Sequence, residues 1–276
     1  MLKLYKLLKF LFRHILPEKC RYPLARLIGR LVCVANASRR RVIVENLTPL
    51  VGPKEAAAMA PRLLGHFAMT AVDFFCPRRN LAREVQAENA GVLEKSYRRF
   101  KKVIVVTAHL GNWELGMSYL MNRGFSMAGV YAPYREDEIV QWIMRHRISE
   151  VEWIPASRGA AEACLNALER GRLLGMVADI PFGEKGRRLR LCGRWAHLPL
   201  GPWAIAARAR AAVIPGFMLR EEPGRYRIIL HEPIIPPEGS FRKQMEQMQE
   251  IYARLLEHYL KTYPGQWGIL QPFWER

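Results

Sequence analysis

The stretch from residue 101 to 124 constrains the fold more than any other part of the sequence. It begins with four consecutive β-branched residues, Val103–Val106, which are typical of a strand buried on both faces of a sheet. An apolar-periodic segment follows from Leu115 to Met121, and Gly124 stands where the end of a helix favours glycine. Between them lie His109, Gly111, Asn112 and Glu114, and α/β proteins commonly place binding and catalytic groups in such a turn. The stretch therefore predicts a strand, a polar turn and a helix.

Two residues of this turn, His109 and Glu114, have side chains suited to acid–base chemistry. Histidine has an ordinary pKa near neutrality, so it can accept a hydroxyl proton. A carboxylate on the other ring nitrogen would fix the tautomer and stabilise the imidazolium. Asn112 is suited to cap the helix, and Glu114 falls in the first turn, where the helix dipole favours a carboxylate. Taken alone, the two residues are more typical of a turn histidine and a capping glutamate than of a catalytic pair.

The chain on the C-terminal side of this stretch alternates between short apolar runs and amphipathic segments. The runs that we predict as strands are 127–131, 153–154 and 173–178, and the segments that we predict as helices are 138–148 and 160–169. This alternation indicates an α/β fold with a largely parallel central sheet flanked by helices. Nearer the C-terminus we expect a helix over 202–210, a β-hairpin formed by 212–219 and 226–230, and a long helix over 241–263.

The N-terminus is apolar with basic residues interleaved. Four of these fall on one face of a helix: Lys3, Lys6, Lys9 and Arg13. The run 1–16 is too short and too charged to span a bilayer, so it is either a helix in the membrane interface or an amphipathic helix packed on its own domain. A second apolar segment, 24–35, contains two arginines, so we predict no secretory signal. We divide the chain into N-terminal membrane-associated helices over 1–40 and one domain over 41–276.

The balance of charges indicates an anionic partner. The 276 residues include 43 Lys and Arg against 25 Asp and Glu, a formal net charge of +18. Such a chain can bind nucleic acid, an anionic membrane surface or acidic substrates and carriers. Aromatic residues are not interleaved with the basic runs as base stacking requires, so we expect no nucleic acid partner. Five scattered cysteines without redox-motif spacing indicate free thiols in a reducing compartment. The histidines have no metal-ligand spacing, so we predict no metal and no cofactor.

Three further places carry candidate chemistry, each with a plainer interpretation. Arg158 follows the short strand 153–154 and either binds an anion or is a surface charge. Asp179 ends the apolar run 173–178, where a site residue, a helix cap or a partner for an arginine is expected. The segment 183–194 is predicted to be a loop rich in Gly and Arg, without a nucleotide P-loop pattern, whose arginines can hold phosphates. No Gly-x-Ser-x-Gly elbow of a serine esterase is present.

The string His-Leu-Gly-Asn-Trp-Glu, from His109 to Glu114, resembles the His-x4-Asp/Glu motif of the glycerolipid acyltransferase superfamily. Its Asn-Trp-Glu form resembles the branch that contains the bacterial lipid A late acyltransferases. Further similarities cover nearly the whole chain. They are Arg40–Leu47, Arg158 beside Gly159, Asp179–Gly183 with Gly186, Gly201-Pro202, Val213–Pro215 and Tyr263–Trp267.

The resemblance implies transfer of a fatty acyl group from a thioester donor to a hydroxyl of a membrane glycolipid. His109 would take the hydroxyl proton and Glu114 would orient His109, with backbone amides near Gly111 as oxyanion donors. The implied substrate-binding residues are Asn112, Arg158, Asp179, Gly183, Arg187 and Arg188. The implied partners are acyl carrier protein or acyl-CoA and an anionic glycolipid or phospholipid. The implied location is the cytoplasmic face of the bacterial inner membrane, as a peripheral or monotopic protein.

The sequence departs from this family at its C-terminus. After Trp267 it reads Gly-Ile-Leu-Gln-Pro-Phe-Trp, where many lipid A enzymes carry a His and Arg pair. A lysophospholipid or another membrane lipid is therefore an alternative acceptor. A basic membrane- or nucleic-acid-binding protein without enzymatic activity would explain the charge but not the string from His109 to Glu114.

Overall fold

The structure is a computed structural model in which helices surround a central sheet. It describes residues 2–76, 84–133, 138, 141–142, 150–182 and 186–275. The described α-helices are α1 (Leu2–Phe10), α2 (Glu18–Ala35), α3 (Ala37–Val51), α4 (Pro53–Phe75), α5 (Gly91–Phe100), α6 (Trp113–Asn122), α7 (Ala160–Glu169), α8 (Gly201–Ala209) and α9 (Phe241–Thr262). A π-helical turn, Leu11–Ile15, continues α1, and a 3-10 turn, Pro264–Gln266, follows α9.

The described strands form one large sheet and one separate hairpin. They are β1 (Gln86–Glu88), β2 (Val103–Thr107), β3 (Met127–Tyr131), β4 (Glu152–Pro155), β5 (Leu173–Val177), β6 (Gly186–Leu191), β7 (Arg194–Pro199), β8 (Ala212–Glu222) and β9 (Arg225–Leu230). The large sheet has seven strands in the order β1-β9-β8-β2-β5-β3-β4. All neighbours in it pair in parallel except β8 and β9, which form the predicted hairpin. The expected α/β fold with a largely parallel sheet is therefore confirmed.

The order of the strands brings two predicted site residues together. The β-branched residues of β2 are buried, because the strand lies between β8 and β5 and is covered on both faces. Strands β2 and β5 are parallel neighbours, so their carboxyl ends meet at the same edge of the sheet. His109 comes two residues after β2 and Asp179 two residues after β5. The two side chains consequently emerge side by side.

Helices α1 to α4 come before the first described strand in the sequence. Helix α2 packs against α4 so closely that a Cβ on Gly29 would lie 2.4 Å from the carbonyl oxygen of Leu64. The division predicted at residue 40 falls inside α3 and remains a prediction. Among the described helices, none combines the length and the apolar character that crossing a bilayer requires. All five cysteines are unpaired in the structure, and four of them are buried.

The structure corrects one prediction, shows a contact made by one basic residue of α1, and leaves another prediction outside its described residues. The segment predicted as a loop over 183–194 contains β6 and the start of β7, an antiparallel pair joined at Cys192 and Gly193. Whereas Lys3 and Lys6 are exposed, Lys9 is partly buried. Its ammonium group lies 5.9 Å from the ring centre of Phe75 and 5.2 Å from that of Trp142. Most of the predicted helix 138–148 lies outside the described residues.

Candidate active site

The centre of the site is a hydrogen bond between an imidazole and a carboxylate. Nδ1 of His109 lies 2.8 Å from Oδ1 of Asp179. The Asp179 side chain is completely buried, whereas that of His109 is 30% exposed. A carboxylate oxygen accepts the hydrogen bond, so the proton of the neutral imidazole is on Nδ1 and the lone pair of the ring is on Nε2. Nε2 is therefore the nitrogen that can act as a base.

Asp179 also fixes the backbone of the turn. Its Oδ2 accepts the backbone N–H of His109 at 2.9 Å and the indole N–H of Trp267 at 3.2 Å. The carbonyl of His109 in turn accepts the N–H of Gly268 at 2.7 Å. The histidine is thus held through both its ring and its main chain. We predicted Glu114 as the carboxylate that orients the imidazole, but the structure gives the Nδ1 position to Asp179.

Glu114 belongs to the same site because of its position in the wall of a cavity. It lies in the first turn of α6, as predicted, and lines the same cavity as His109. The ring of Trp113 stands edge-on to the His109 ring, with 4.9 Å between the ring centres. Glu114 thus places a carboxylate in the wall beside the imidazole. Its effect on the reaction remains a prediction.

The turn itself depends on a glycine. Gly111 has φ +65°, and a Cβ there would lie 1.9 Å from the carbonyl oxygen of Met218, so no other residue fits without displacing backbone. The N–H of Gly111 donates to the carbonyl of Gln266, and the N–H of Asn112 donates to that of Met218, each at 3.0 Å. These two amides are therefore occupied. The prediction that amides near Gly111 serve as oxyanion donors does not hold for them.

Asn112 has a structural role instead of the predicted contact with substrate. Only 1% of it is exposed, because its side chain lies beneath the turn. Its Oδ1 accepts the N–H of Leu115 at 3.2 Å and so caps α6, as the sequence indicated. Its Nδ2 donates to Oδ2 of Asp73 at 3.0 Å. Both ends of the amide are engaged within the protein, so we withdraw this residue from the substrate-binding set.

A cavity of about 890 Å³ opens beside His109. This volume is within the range of small-molecule sites, and the wall is predominantly apolar. Glycines on three strands of the sheet contribute to the wall: Gly129 on β3, Gly175 on β5 and Gly216 on β8. Gly129 and Gly175 are paired in register. Because none of the three has a side chain, the cavity can extend down to the backbone of the sheet.

The side chain of Met117 lies along this glycine surface. A Cβ added at Gly129 would meet Cε of Met117 at 3.0 Å, and one added at Gly175 would meet it at 2.9 Å. Trp153 closes the same end, 2.7 Å from the position of a Cβ on Gly129. The space above the glycines is therefore narrow and bounded by apolar side chains. Such a lining suits a hydrocarbon better than a polar ligand.

The remaining predicted substrate-binding residues lie apart from His109. Arg158 is exposed after β4, which is separated from β2 by β5 and β3. Arg187 pairs with Glu250 at 2.7 Å, and Arg188 pairs with Glu275 at 2.6 Å while its guanidinium covers the ring of Trp195. None of these three arginines lines the cavity. Gly183 lies outside the described residues.

Several residues that hold the site together were not assigned a role from the sequence. We call the turn between β2 and α6, residues 108–112, the catalytic turn. The C-terminal residues Gln266, Trp267 and Gly268 contact it or the side chain of Asp179 directly. The resemblance of Tyr263–Trp267 to a family block was the signal for this contact, although a motif does not reveal its partner. Asp73 and Arg220 form a buried ion pair of 3.1 Å that no local pattern indicated. Within the described part of the chain, no three His, Cys, Asp or Glu side chains are grouped as metal ligands would be.

The fold and this site define a protein whose histidine–carboxylate pair faces an apolar cavity. The family model of the bacterial lipid A biosynthesis acyltransferases matches residues 5–276, and the chain belongs to this family. The resemblance found in the sequence is therefore confirmed.

The curated relatives that match this chain have low sequence identity to it. A phosphatidylinositol mannoside acyltransferase of Mycobacterium tuberculosis (strain CDC 1551 / Oshkosh) is 21% identical over 202 residues, which are 71% of this chain and 62% of the relative. The enzyme of the same name from Mycolicibacterium smegmatis is 21% identical over 175 residues, 62% of this chain and 56% of the relative. The chain thus spans less than two thirds of the length of these relatives.

Among solved structures, the chain is matched to the 1-acyl-sn-glycerophosphate (LPA) acyltransferase of Thermotoga maritima. It is 16% identical, with a TM-score of 0.43, and the match covers 87% of this chain and 96% of that structure.

Proposed function

We propose that this protein transfers a fatty acyl group from a thioester donor, acyl carrier protein or CoA, to a hydroxyl of a membrane glycolipid related to a lipid A precursor. The observation that carries the proposal is the hydrogen bond of 2.8 Å between His109 and the buried Asp179 in the wall of an apolar cavity. A base and a place for a hydrocarbon chain are thereby brought to one point. Membership of the lipid A acyltransferase family supports the choice of reaction.

In the proposed reaction, Nε2 of His109 accepts the proton of the acceptor hydroxyl. The hydroxyl oxygen attacks the thioester carbonyl, and a carbon–oxygen bond forms while the carbonyl becomes an oxyanion. When this intermediate collapses, the carbon–sulfur bond breaks and the imidazolium returns its proton to the thiolate. The products are an ester and a free thiol, and no acyl-enzyme is required. The buried Asp179 stabilises the imidazolium and keeps Nε2 in the basic tautomer throughout.

The acyl chain occupies the cavity that Gly129, Gly175 and Gly216 help to line in this proposal. Burial of methylene groups against apolar walls is favourable by about 0.8 kcal/mol each, so an extended chain gains affinity along its whole length. The chain would place its thioester at the His109 end of the cavity. Glu114, beside the imidazole, is then close enough to influence the acceptor.

A glycolipid acceptor and an acidic or membrane-bound partner fit the rest of the molecule. The curated relatives are named for phosphatidylinositol mannoside, a glycolipid. The formal net charge of +18 favours an anionic lipid surface and an acidic carrier. We propose peripheral association with the cytoplasmic face of the inner membrane. Arg158 remains our proposed contact for an acceptor phosphate, since it is exposed at the same edge of the sheet as His109.

The test is an acceptor comparison with purified protein. Acyl carrier protein and CoA thioesters of the same fatty acid are each offered with a lipid A precursor, phosphatidylinositol mannoside or lysophosphatidic acid in mixed micelles. Mass spectrometry of the lipids should show one added acyl group on a glycolipid, with release of the free thiol. Acylation of lysophosphatidic acid in preference to both glycolipids would instead establish the alternative acceptor and contradict this proposal.

A further inference from the structure

A cluster of buried polar side chains lies beneath the catalytic turn, outside the residues that line the cavity. Its members come from four parts of the chain and are each buried: Thr70, Asp73, Asn112, Arg220 and Tyr226. A fully buried charged pair is unusual, because removing both groups from water costs more than a surface pair would. The cluster therefore needs an explanation beyond packing.

The carboxylate of Asp73, on α4, is the common acceptor of this cluster. Its Oδ2 accepts from Nδ2 of Asn112 at 3.0 Å, from Nη2 of Arg220 at 3.1 Å and from the hydroxyl of Tyr226. Burial and the neighbouring Asp73 carboxylate raise the pKa of the Tyr226 hydroxyl, which keeps it a donor. The other oxygen, Oδ1, accepts from the hydroxyl of Tyr22 on α2 at 2.5 Å. The two oxygens thus serve different parts of the molecule.

Two routes lead from Oδ2 of Asp73 to the catalytic turn. The first is direct, because Asn112 is itself part of the turn and caps α6. The second passes through Arg220, whose backbone N–H and C=O are bonded to the side chain of Gln266 at 2.9 and 2.8 Å. The carbonyl of Gln266 then accepts the N–H of Gly111 at 3.0 Å. Both routes end within three residues of His109.

We infer that Asp73 is a positioning residue for acyl transfer: through Oδ2 it holds the turn that aims His109. The inference rests on the proposed function, since it assigns Asp73 a part in that same site. A buried ion pair adds little to stability compared with apolar residues of the same size, whereas it does fix the directions of its partners. A displacement of the catalytic base by about 1 Å is enough to lower a rate about 100-fold.

The direct route can be cut without removing the buried charge. Asn112→Ser keeps an oxygen that can cap α6 but is too short to reach Asp73. We expect kcat to fall about 10- to 100-fold, while KM for the acyl donor changes less than twofold, because the cavity is untouched. Asp73→Asn is a weaker choice, because it leaves Arg220 buried without a counter-charge and can unfold the protein.

Tyr22→Phe is the matched control. It removes a hydrogen bond to the same carboxylate, but at Oδ1, on the side of α2. We expect a loss of thermal stability comparable with that of Asn112→Ser and an unchanged kcat. An unchanged kcat in Asn112→Ser, or an equal fall of kcat in both variants, would overturn the positioning role.

A second readout does not depend on turnover. The proton on Nδ1 of His109, bonded to Asp179, should give a downfield NMR resonance, assigned by its absence in His109→Ala. It should shift in Asn112→Ser and stay in place in Tyr22→Phe, and an unshifted resonance in Asn112→Ser would overturn the inference. Wild type and His109→Ala are assayed alongside. Absence of transfer by wild type, or equal transfer by His109→Ala, would overturn the proposed function, while the resonance still tests the positioning.

Discussion

His109 and Asp179 show how a single residue acquires its role from a distant one. The two are 70 residues apart, and they meet because β2 and β5 are neighbours in the sheet. Asp179 contacts the ring, the backbone N–H of His109 and the indole of Trp267 at once. A side chain with three such contacts has little freedom. The orientation of His109 is therefore set before any substrate arrives.

The separate contributions of Asp179 and Glu114 to the reaction rate can be measured. We expect Asp179→Asn to lower kcat by about 10²- to 10⁴-fold, because an amide can donate to Nδ1 and so favour the wrong tautomer, and it cannot stabilise the imidazolium. Glu114→Gln should lower kcat less, because it leaves the bond at Nδ1 intact. The measurement is transfer kinetics of both variants, with circular dichroism as the folding control. A larger loss in Glu114→Gln would restore the role that the sequence suggested for Glu114.

His66 provides a prediction about pH at the same scale. Burial, with the nearby Arg220 charge, lowers the pKa of His66 from its ordinary 6.5 to about 4, and its Nδ1 has no hydrogen-bond partner among the described residues. Between these two values the unfolded chain binds a proton that the native protein does not. Stability therefore falls as the pH falls through this window, by about 2 kcal/mol at pH 5 relative to neutral pH.

We therefore expect the free energy of unfolding to depend more steeply on pH in wild type than in His66→Gln. The free energy of unfolding of wild type should decrease from pH 7.5 to pH 5 by about 2 kcal/mol more than that of His66→Gln, which cannot titrate. Denaturant unfolding at the two pH values measures this difference. Other groups titrate equally in both proteins, so parallel slopes would show that His66 is not held neutral.

At the scale of elements, sequence patterns correctly predicted the features that depend only on residues close together in the chain. The β-branched run of β2, the caps of α6 and the turn between β8 and β9 follow from neighbouring residues, and all were predicted. The hairpin of β6 and β7 was missed because its turn uses Cys192 and Gly193, both with positive φ, and cysteine is not typical there. The bond from Asp179 to His109 could not be predicted, because it depends on which strands become neighbours.

The glycines under the cavity give a prediction for the sheet as an element. Gly175→Val would place a branched side chain against Cε of Met117, which lies only 2.9 Å from the point that a Cβ would occupy, so the cavity should be shortened. We expect kcat/KM for the longest accepted acyl donor to fall at least 10-fold, while shorter donors are still used. The measurement is a series of donors of increasing chain length.

Met117→Ala is the complementary change, since it enlarges the same space. It should shift the preference toward longer chains, with little effect on the shortest donor. If both variants keep the chain-length profile of wild type, the acyl chain does not lie above Gly175.

At the scale of the whole molecule, apolar and basic surfaces lie on the same N-terminal helices. Three apolar residues of α2 form an exposed stripe with helical spacing: Leu27, Leu31 and Val34. Phe10 and Ile15 are also exposed. On the opposite side, α2 packs against α4, which carries Asp73. A membrane bound to the stripe would therefore lie one helix away from the network under the catalytic turn.

Membrane association can be tested on this stripe. Replacing Leu27, Leu31 and Val34 by Ser should weaken binding to vesicles that contain anionic lipid by about 3 kcal/mol, roughly 100-fold, if each side chain contributes about 1 kcal/mol. Ile251→Ser, at an exposed apolar position on α9, is the control and should bind like wild type. Co-sedimentation at low and high salt separates the apolar contribution to vesicle binding from the electrostatic one. Equal binding by the triple variant would place the membrane contact elsewhere.

The central claim is that His109 is the base of an acyl transfer, and one variant tests it most directly. His109→Ala is compared with wild type in a transfer assay with saturating thioester donor and glycolipid, after circular dichroism has shown both to be folded. The account predicts that kcat falls by about 10²- to 10⁴-fold, equivalent to roughly 3–5 kcal/mol of barrier, while vesicle binding is unchanged. A folded His109→Ala protein that transfers the acyl group at nearly the wild-type rate would contradict it.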